Sequence, residues 1–376
     1  MATYSTLWTY LWDLVDDGLE DAVRRIRDDA GLQAISVASA YHTYEQLRPH
    51  RDGRKLLAAE RAALYFEPDL LLYGDTCLGP RVAPLARQGN PMARLAQACA
   101  RSGLDLVSWT VCLHNSYLAT CYPQCAVQTA YGDCLTWALC PGVDDVRAYV
   151  LGVCRDMAAN YGARRLELES CDFGGYGHAH YHAKVGVELG TVGEYLFGLS
   201  FSPGCVDKAR ARGIDVDGLR AWVRQQLDPV FAAGRPLAGD VAAVLAANPD
   251  LAAFEELRQD LVVSLVQEIR RATGAEVAFM GINPRVAPVA DLLEILAYTK
   301  SPDQVEAQVR EALPHLTSPE RLVVGLQAYP PAAFCAEDLR ANVARALSLG
   351  IRQFSFYNYG IMPAPNLEWL RQALRG

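Results

Sequence analysis

The chain has 376 residues, of which 51% are hydrophobic and 21% charged, and its formal net charge is −8. This composition is globular, and an acidic balance with no basic stripe argues against a nucleic-acid partner. No apolar run reaches the roughly 20 residues of a membrane helix, so a membrane is not expected as a partner either.

The N-terminal stretch Thr6-Leu-Trp-Thr-Tyr-Leu-Trp12 is apolar, lacks a basic start and runs straight into Asp13, Asp16 and Asp17. It is therefore not read as a secretory signal but as the start of an amphipathic helix reaching about Asp29, and the expected compartment is the cytoplasm. Ala34 to Ala40 reads as a first strand, ending in Tyr41-His42-Thr43, and Ala63 to Phe66 as a short second one. A helix over Met92 to Arg101 leads to a third strand, Leu104 to Leu113, which ends His114-Asn115. A helix over Asp144 to Tyr161 leads to a fourth, Arg165-Leu-Glu-Leu-Glu-Ser170. Its period of two puts Glu167 and Glu169 on one face and Leu166 and Leu168 on the other.

Further strands are expected over Glu276 to Ile282, Asp291 to Tyr298, Arg321 to Tyr329 and Gln353 to Gly360. Helices over Pro302 to Leu313 and Ala336 to Leu347 separate the last three. Eight strands alternating with helices point to an α/β fold, a closed (β/α)8 TIM barrel filling residues 1–376 as one domain. An open doubly wound sheet is disfavoured, because no Gly-x-Gly-x-x-Gly turn follows the first strand. Residues 171–275 are too many for one loop and carry helical patterns at Val192–Leu199, Val216–Leu227 and Pro249–Arg271. They are expected to form a helical insertion after strand four that caps the C-terminal face of the barrel.

Eleven cysteines are scattered along the chain, densest at Cys121, Cys125, Cys134 and Cys140. The Cys-x3-Cys spacing departs from structural zinc patterns, so reduced thiols acting as small core residues are expected instead.

In a barrel of this kind the active site lies at the C-terminal strand ends. The polar and aromatic residues expected there are His42, Trp109, His114, Asn115, Glu167, Glu169, Tyr298, Gln327, Tyr357 and Asn358. The set is rich in carboxylate, amide and aromatic groups and poor in Lys and Arg. It suits a small, neutral, carbohydrate-like substrate better than a phosphate. Glu169, nearer the mouth, is the expected general acid, with the charge of Glu167 one pleat deeper raising its pKa. Asp172, in the loop that follows, is a third catalytic candidate. The sequence Gly177-His-Ala-His-Tyr-His182 sets His178, His180 and His182 at alternate positions. They are expected to contact substrate, with no cofactor; the alternative is a zinc or manganese site serving a barrel hydrolase, isomerase or lyase. A non-catalytic sugar-binding barrel is a further alternative.

The segments Ala40-Tyr-His-Thr43, Ser108-Trp-Thr-Val-Cys-Leu-His-Asn115, Leu166-Glu-Leu-Glu-Ser170 and Phe354-Ser-Phe-Tyr-Asn-Tyr-Gly360, with the His loop, resemble the superfamily of barrel glycoside hydrolases. The resemblance implies a glycosidase-type hydrolase with its acid/base at the end of strand four, where Glu169 stands. It also implies a nucleophile at the end of strand seven, but Gly325-Leu-Gln-Ala-Tyr-Pro330 has no carboxylate. Strand four is similar to that of chitinase-type (family 18) enzymes, which alternate acidic residues there and place a tyrosine on strand six, as Tyr298 does here. In that family the N-acetyl group of the substrate replaces the missing nucleophile. Arg164 and Arg165 stand where the full acidic signature would begin.

Overall fold

A computed structural model describes residues 3–59, 61–178, 182 and 184–375. Eight parallel strands close into a barrel: β1 Tyr4–Thr9, β2 Ala34–Tyr41, β3 Asp105–Val111, β4 Arg165–Glu169, β5 Glu276–Met280, β6 Leu292–Leu296, β7 Leu322–Gln327 and β8 Gln353–Tyr357. Neighbours pair in chain order, and β1 closes the ring against β8 at Thr6↔Ser355 and against β2 at Thr6↔Ala34.

Two expectations about the first third of the chain are corrected. Tyr4–Thr9 is the first barrel strand rather than the start of a helix; the helices begin at Leu11. Pairing with β2 and β8 decides this and sets the sides: Leu7 packs outward into the main core, while Thr6 and Trp8 share the inward side with Ser355 and Ser36. Ala63–Leu64 is not a barrel strand, since it pairs antiparallel with the end of β2 as a short outer strand. One strand gained and one lost leave the barrel at eight, and Glu167 and Glu169 remain on the fourth.

Helices cover the barrel after most strands. Pro91–Ser102 shows how their ends are set: Asn90 caps the first turn, Pro91 opens it, and Gly103 ends it at φ 69°. Between β4 and β5 lie helices Gly190–Phe197, Pro203–Ala211, Val216–Ala233, Val241–Ala247 and Pro249–Thr273. The last spans two cores. Leu251, Phe254, Leu257 and Leu261 pack with the preceding helices and the hairpin Ala126–Gln128/Cys134–Leu139. Val262, Leu265, Val266 and Ile269 pack on the barrel, so the second half of this helix serves as the crossover to β5.

The inside of the barrel holds little apolar material. Ala278, Leu292 and Val323 form a small cluster there. Beside it lie Thr6, Ser36, Glu167, Glu294 and Ser355, all fully buried. Arg165 closes the N-terminal end, donating to Glu276 and to Gln353, each at 2.6 Å, with its guanidinium 4.8 Å from the Tyr4 ring centre.

Candidate active site at the mouth of the barrel

Period-two alternation on β4 points Glu167 and Glu169 into the barrel, one layer apart. Glu169, at the upper end, is partly buried, and the indole N–H of Trp109 on β3 donates to its Oε2 at 2.5 Å. Burial pushes its carboxyl up to about 7, against the lowering effect of that hydrogen bond. The expected repulsion from Glu167 is not what raises it: the loss of water around the carboxyl does.

Glu167 is fully buried, and its Oε2 accepts from Trp8 Nε1 at 2.7 Å and from Ser36 Oγ. Burial raises its pKa, while Ser36, Arg165 and Trp8 act in the other direction. The rings of Trp8 and Trp109 stack with centres 5.7 Å apart at 28°. The two carboxylates are thus tied to two stacked indoles. Gly325 on β7 leaves space for this stack, since a Cβ there would lie 3.1 Å from the Trp8 ring.

A third interior carboxylate was not among the sequence candidates. Glu294 on β6 is fully buried and accepts from Ser355 Oγ. Burial and then the charge of Glu167 hold its pKa well above the usual carboxylate range. Glu167 Oε1, Glu294 Oε2, Thr6 Oγ1 and Arg165 Nη1 have no protein partner in this interior layer. The signal for Glu294 lay in Leu292-Leu-Glu-Ile-Leu296, where one charge interrupts an apolar strand at the parity of Tyr298.

Aromatic rings form the rim. Tyr298, just past β6, stacks on Tyr357 of β8 at 5.5 Å and 27°, and the charge of Glu169 acts on both. Tyr10, just past β1, joins its hydroxyl to those of Tyr41 and Tyr357, each at 2.9 Å. Leu296 points into the mouth and remains 45% exposed, so this side is open to a ligand.

The other sequence candidates divide. His42 donates from Nδ1 to the Thr43 carbonyl at 2.6 Å and stacks on His114 at 4.5 Å. His114 in turn meets His178 edge-on at 4.7 Å, and His178 lies 4.5 Å from Trp137. Burial lowers the pKa of both His42 and His178, so these rings are neutral near pH 7. His182 is exposed, and His180 lies outside the described residues. Among the described residues no group of three His, Cys, Asp or Glu side chains is arranged to hold a metal. Asn115 caps the helix Ser116–Cys121 by accepting from Leu118 N at 2.9 Å. Asn358 is buried and accepts from Gly360 N, and Gln327 donates to the Pro330 carbonyl at 2.9 Å. Asp172 accepts from Phe173 N at 2.6 Å and faces Arg258 and Glu255 of the insertion.

Mouth-side cavities of about 210 and 750 Å3 share Trp137 and His178 as walls. A larger one, about 810 Å3, lies at the opposite end beside Arg270, Glu276 and Asp291, away from Glu169 and the aromatic rim.

No family model and no curated protein matches the sequence. Solved structures do match in fold. All of the chain aligns with 49% of α-L-fucosidase isoenzyme 2 from Paenibacillus thiaminolyticus, at 13% identity and a TM-score of 0.60. Similarly, 99% aligns with 59% of a β-galactosidase from the psychrophilic Marinomonas ef1, at 11% identity and a TM-score of 0.60. The catalytic domain of a β-amylase from Paenibacillus polymyxa matches 97% of the chain over 94% of its own length, at 12% identity and a TM-score of 0.53. The chain therefore spans about half of the fucosidase and under two thirds of the galactosidase. It shares with all three the fold of a closed parallel barrel.

Proposed function

We propose that the chain is a glycosidase-type hydrolase acting on a small glycoside or sugar-like molecule, with Glu169 as general acid. The observation that carries this reading is a carboxyl held near neutral pH at the barrel mouth, within an aromatic rim. A carboxyl with a pKa of about 7 is protonated for much of the time at neutral pH, as proton donation to a leaving oxygen requires. The faces of Tyr298 and Tyr357 and the open Leu296 side offer a surface on which a sugar ring stacks. Glu167 acts through Trp8 and the indole stack to position the acid, and its charge favours developing positive charge above it.

The strand-seven position carries Gln327, so the second chemical group comes from elsewhere. A 2-acetamido sugar supplies its own carbonyl oxygen, which accords with the chitinase-type pattern of Glu167, Glu169 and Tyr298. The test is a panel of aryl glycosides with and without a 2-acetamido group, offered to the wild type and to Glu169→Gln. The expected outcome is turnover by the wild type and a loss of roughly 100-fold or more in the variant, with an unchanged unfolding temperature. Equal turnover by both proteins would remove Glu169 from the chemistry. Tight sugar binding without turnover by the wild type would instead favour a binding barrel.

A further inference from the structure

Away from the carboxylates, two cysteines meet where the hairpin after β3 rests on the insertion. Cys140 directly follows the hairpin strand Cys134–Leu139, and Cys205 lies in the first turn of the helix Pro203–Ala211. Their sulfurs are 3.3 Å apart and both residues are fully buried. The backbones around them are in close contact. A Cβ on Gly142 would come within 2.4 Å of Cys205 Sγ, and one on Gly204 within 2.4 Å of the Gly142 carbonyl. Lys208 fixes the same junction, donating to Gly142 O at 2.9 Å and to Asp144 at 2.7 Å.

The surroundings of Cys140 are those of a stabilised thiolate. Ser202 donates to its sulfur at 3.1 Å, and Ser200 Oγ lies 3.3 Å away. Ser202 is also the N-cap of the nine-residue helix Pro203–Ala211, so the sulfur lies beside that helix start. Burial alone would push the thiol up, but hydrogen bonds from Cys205, Ser200, Ser202 and the Gly142 N–H bring it below the ordinary value. Cys205 moves the other way, because it donates to Cys140 and is itself buried.

We propose that Cys140 and Cys205 are a peroxide-reactive dithiol, with Cys140 attacking and Cys205 resolving, that closes a disulfide between the mouth hairpin and the insertion. The Cys140 thiolate attacks one oxygen of hydrogen peroxide and the O–O bond breaks. The departing hydroxide takes the Cys205 proton and leaves as water, and Cys140 becomes a sulfenic acid. The Cys205 thiolate then attacks that sulfur and expels hydroxide, which takes up the proton Cys140 had released. Two thiols lose two electrons and two protons, and the peroxide becomes two waters. The sulfurs need approach only from 3.3 Å to about 2.0 Å. Peroxide is small enough to reach them during local opening, whereas a bulky disulfide is not. The bond would fix the strand carrying Trp137, a wall of both mouth-side cavities, against the insertion.

The test treats the reduced full-length chain with stoichiometric hydrogen peroxide, alkylates the remaining thiols and maps the peptides. The expected product is lighter by two hydrogens, contains a Cys140–Cys205 linked peptide, and unfolds at a higher temperature until dithiothreitol is added. In Cys205→Ser, a sulfenic-acid-selective dione should label Cys140. Alkylation of both thiols after peroxide, or a link formed instead between Cys112 and Cys171, a second pair of hydrogen-bonded thiols, overturns the proposal. If the variant does not fold, the wild-type peptide map decides by itself.

Discussion

Trp8 on β1 donates its indole N–H to Glu167 on β4 at 2.7 Å, joining residues 159 positions apart across the barrel interior. Because Trp8 also stacks on Trp109, and Trp109 donates to Glu169, the buried carboxylate and the mouth carboxylate belong to one assembly. Disturbing any member should therefore be felt at Glu169.

The pH profile is the first consequence. A general acid works when protonated, so turnover should hold on the acid side and fall as pH rises through about 7, the value to which burial pushes Glu169. Trp109→Phe removes the one hydrogen bond that lowers this value. The falling limb should then move upward by on the order of one pH unit, together with a lower maximal rate. A limb that stays in place in the variant would mean that another group controls it.

Folding stability should carry the same signature. The carboxyl of Glu169 is raised in the folded chain from its ordinary 4.5 to about 7. The folded state therefore binds the proton more tightly, and its contribution is fully present below about pH 4.5 and lost as pH rises through about 7. Denaturant titrations of Glu169→Gln should lack that part of the decline, and an identical slope in both proteins would assign it to other groups.

Glu294 offers a contrast between charge and shape. Burial and the neighbouring charge of Glu167 raise its pKa, so Glu294→Gln replaces a carboxyl that resists ionisation by an amide of about the same size. The expected result is stability equal to the wild type near pH 4 and greater than the wild type by at least about 1 kcal/mol near pH 8, because above about pH 4.5 the unfolded wild type releases a proton that the folded chain holds on Glu294. Thermal unfolding at the two pH values measures this. Marked destabilisation at both would mean that Glu294 is charged in the folded chain.

Gly325→Ala tests the space for the indole stack. The new methyl would lie 3.0 Å from the Ile295 carbonyl and 3.1 Å from the Trp8 ring. Trp8 has to shift, with a loss of about 1–3 kcal/mol and reduced turnover. Unchanged stability would show that the interior accommodates the methyl without moving Trp8.

Metal dependence can be read directly. The rings of His42, His114 and His178 meet face to face and edge to face, and among the described residues no three His, Cys, Asp or Glu side chains are grouped to hold a metal ion. Dialysis against a chelator should leave turnover intact. Loss of turnover restored by zinc or manganese, and absent in His180→Ala, would favour the metal reading.

Much of the fold was legible because local rules are strong where a barrel strand or helix buries one face. The alternation in Arg165–Glu169 was enough to put both glutamates on the inward side, and Asn90-Pro91 and Gly103 bound a helix by their own backbone preferences. Tyr4–Thr9 was misread because six residues with apolar and small polar side chains fit either period, and the aspartates that follow suggest an amphipathic helix. Only pairing with β2 and β8 decides in favour of a strand.

The sequence by itself determined seven of the eight barrel strands and their alternation with helices, the helical segment between β4 and β5, and a carboxylate pair facing inward on the fourth strand. Tertiary structure alone decided what that pair does. Trp8, Ser36 and Glu294 lie on three other strands, and nothing local links them to Glu167. The pKa of Glu169 is likewise not a property of its neighbours in sequence. It follows from how completely barrel closure removes water from the carboxyl, and a closed surface exists only after all eight strands have met.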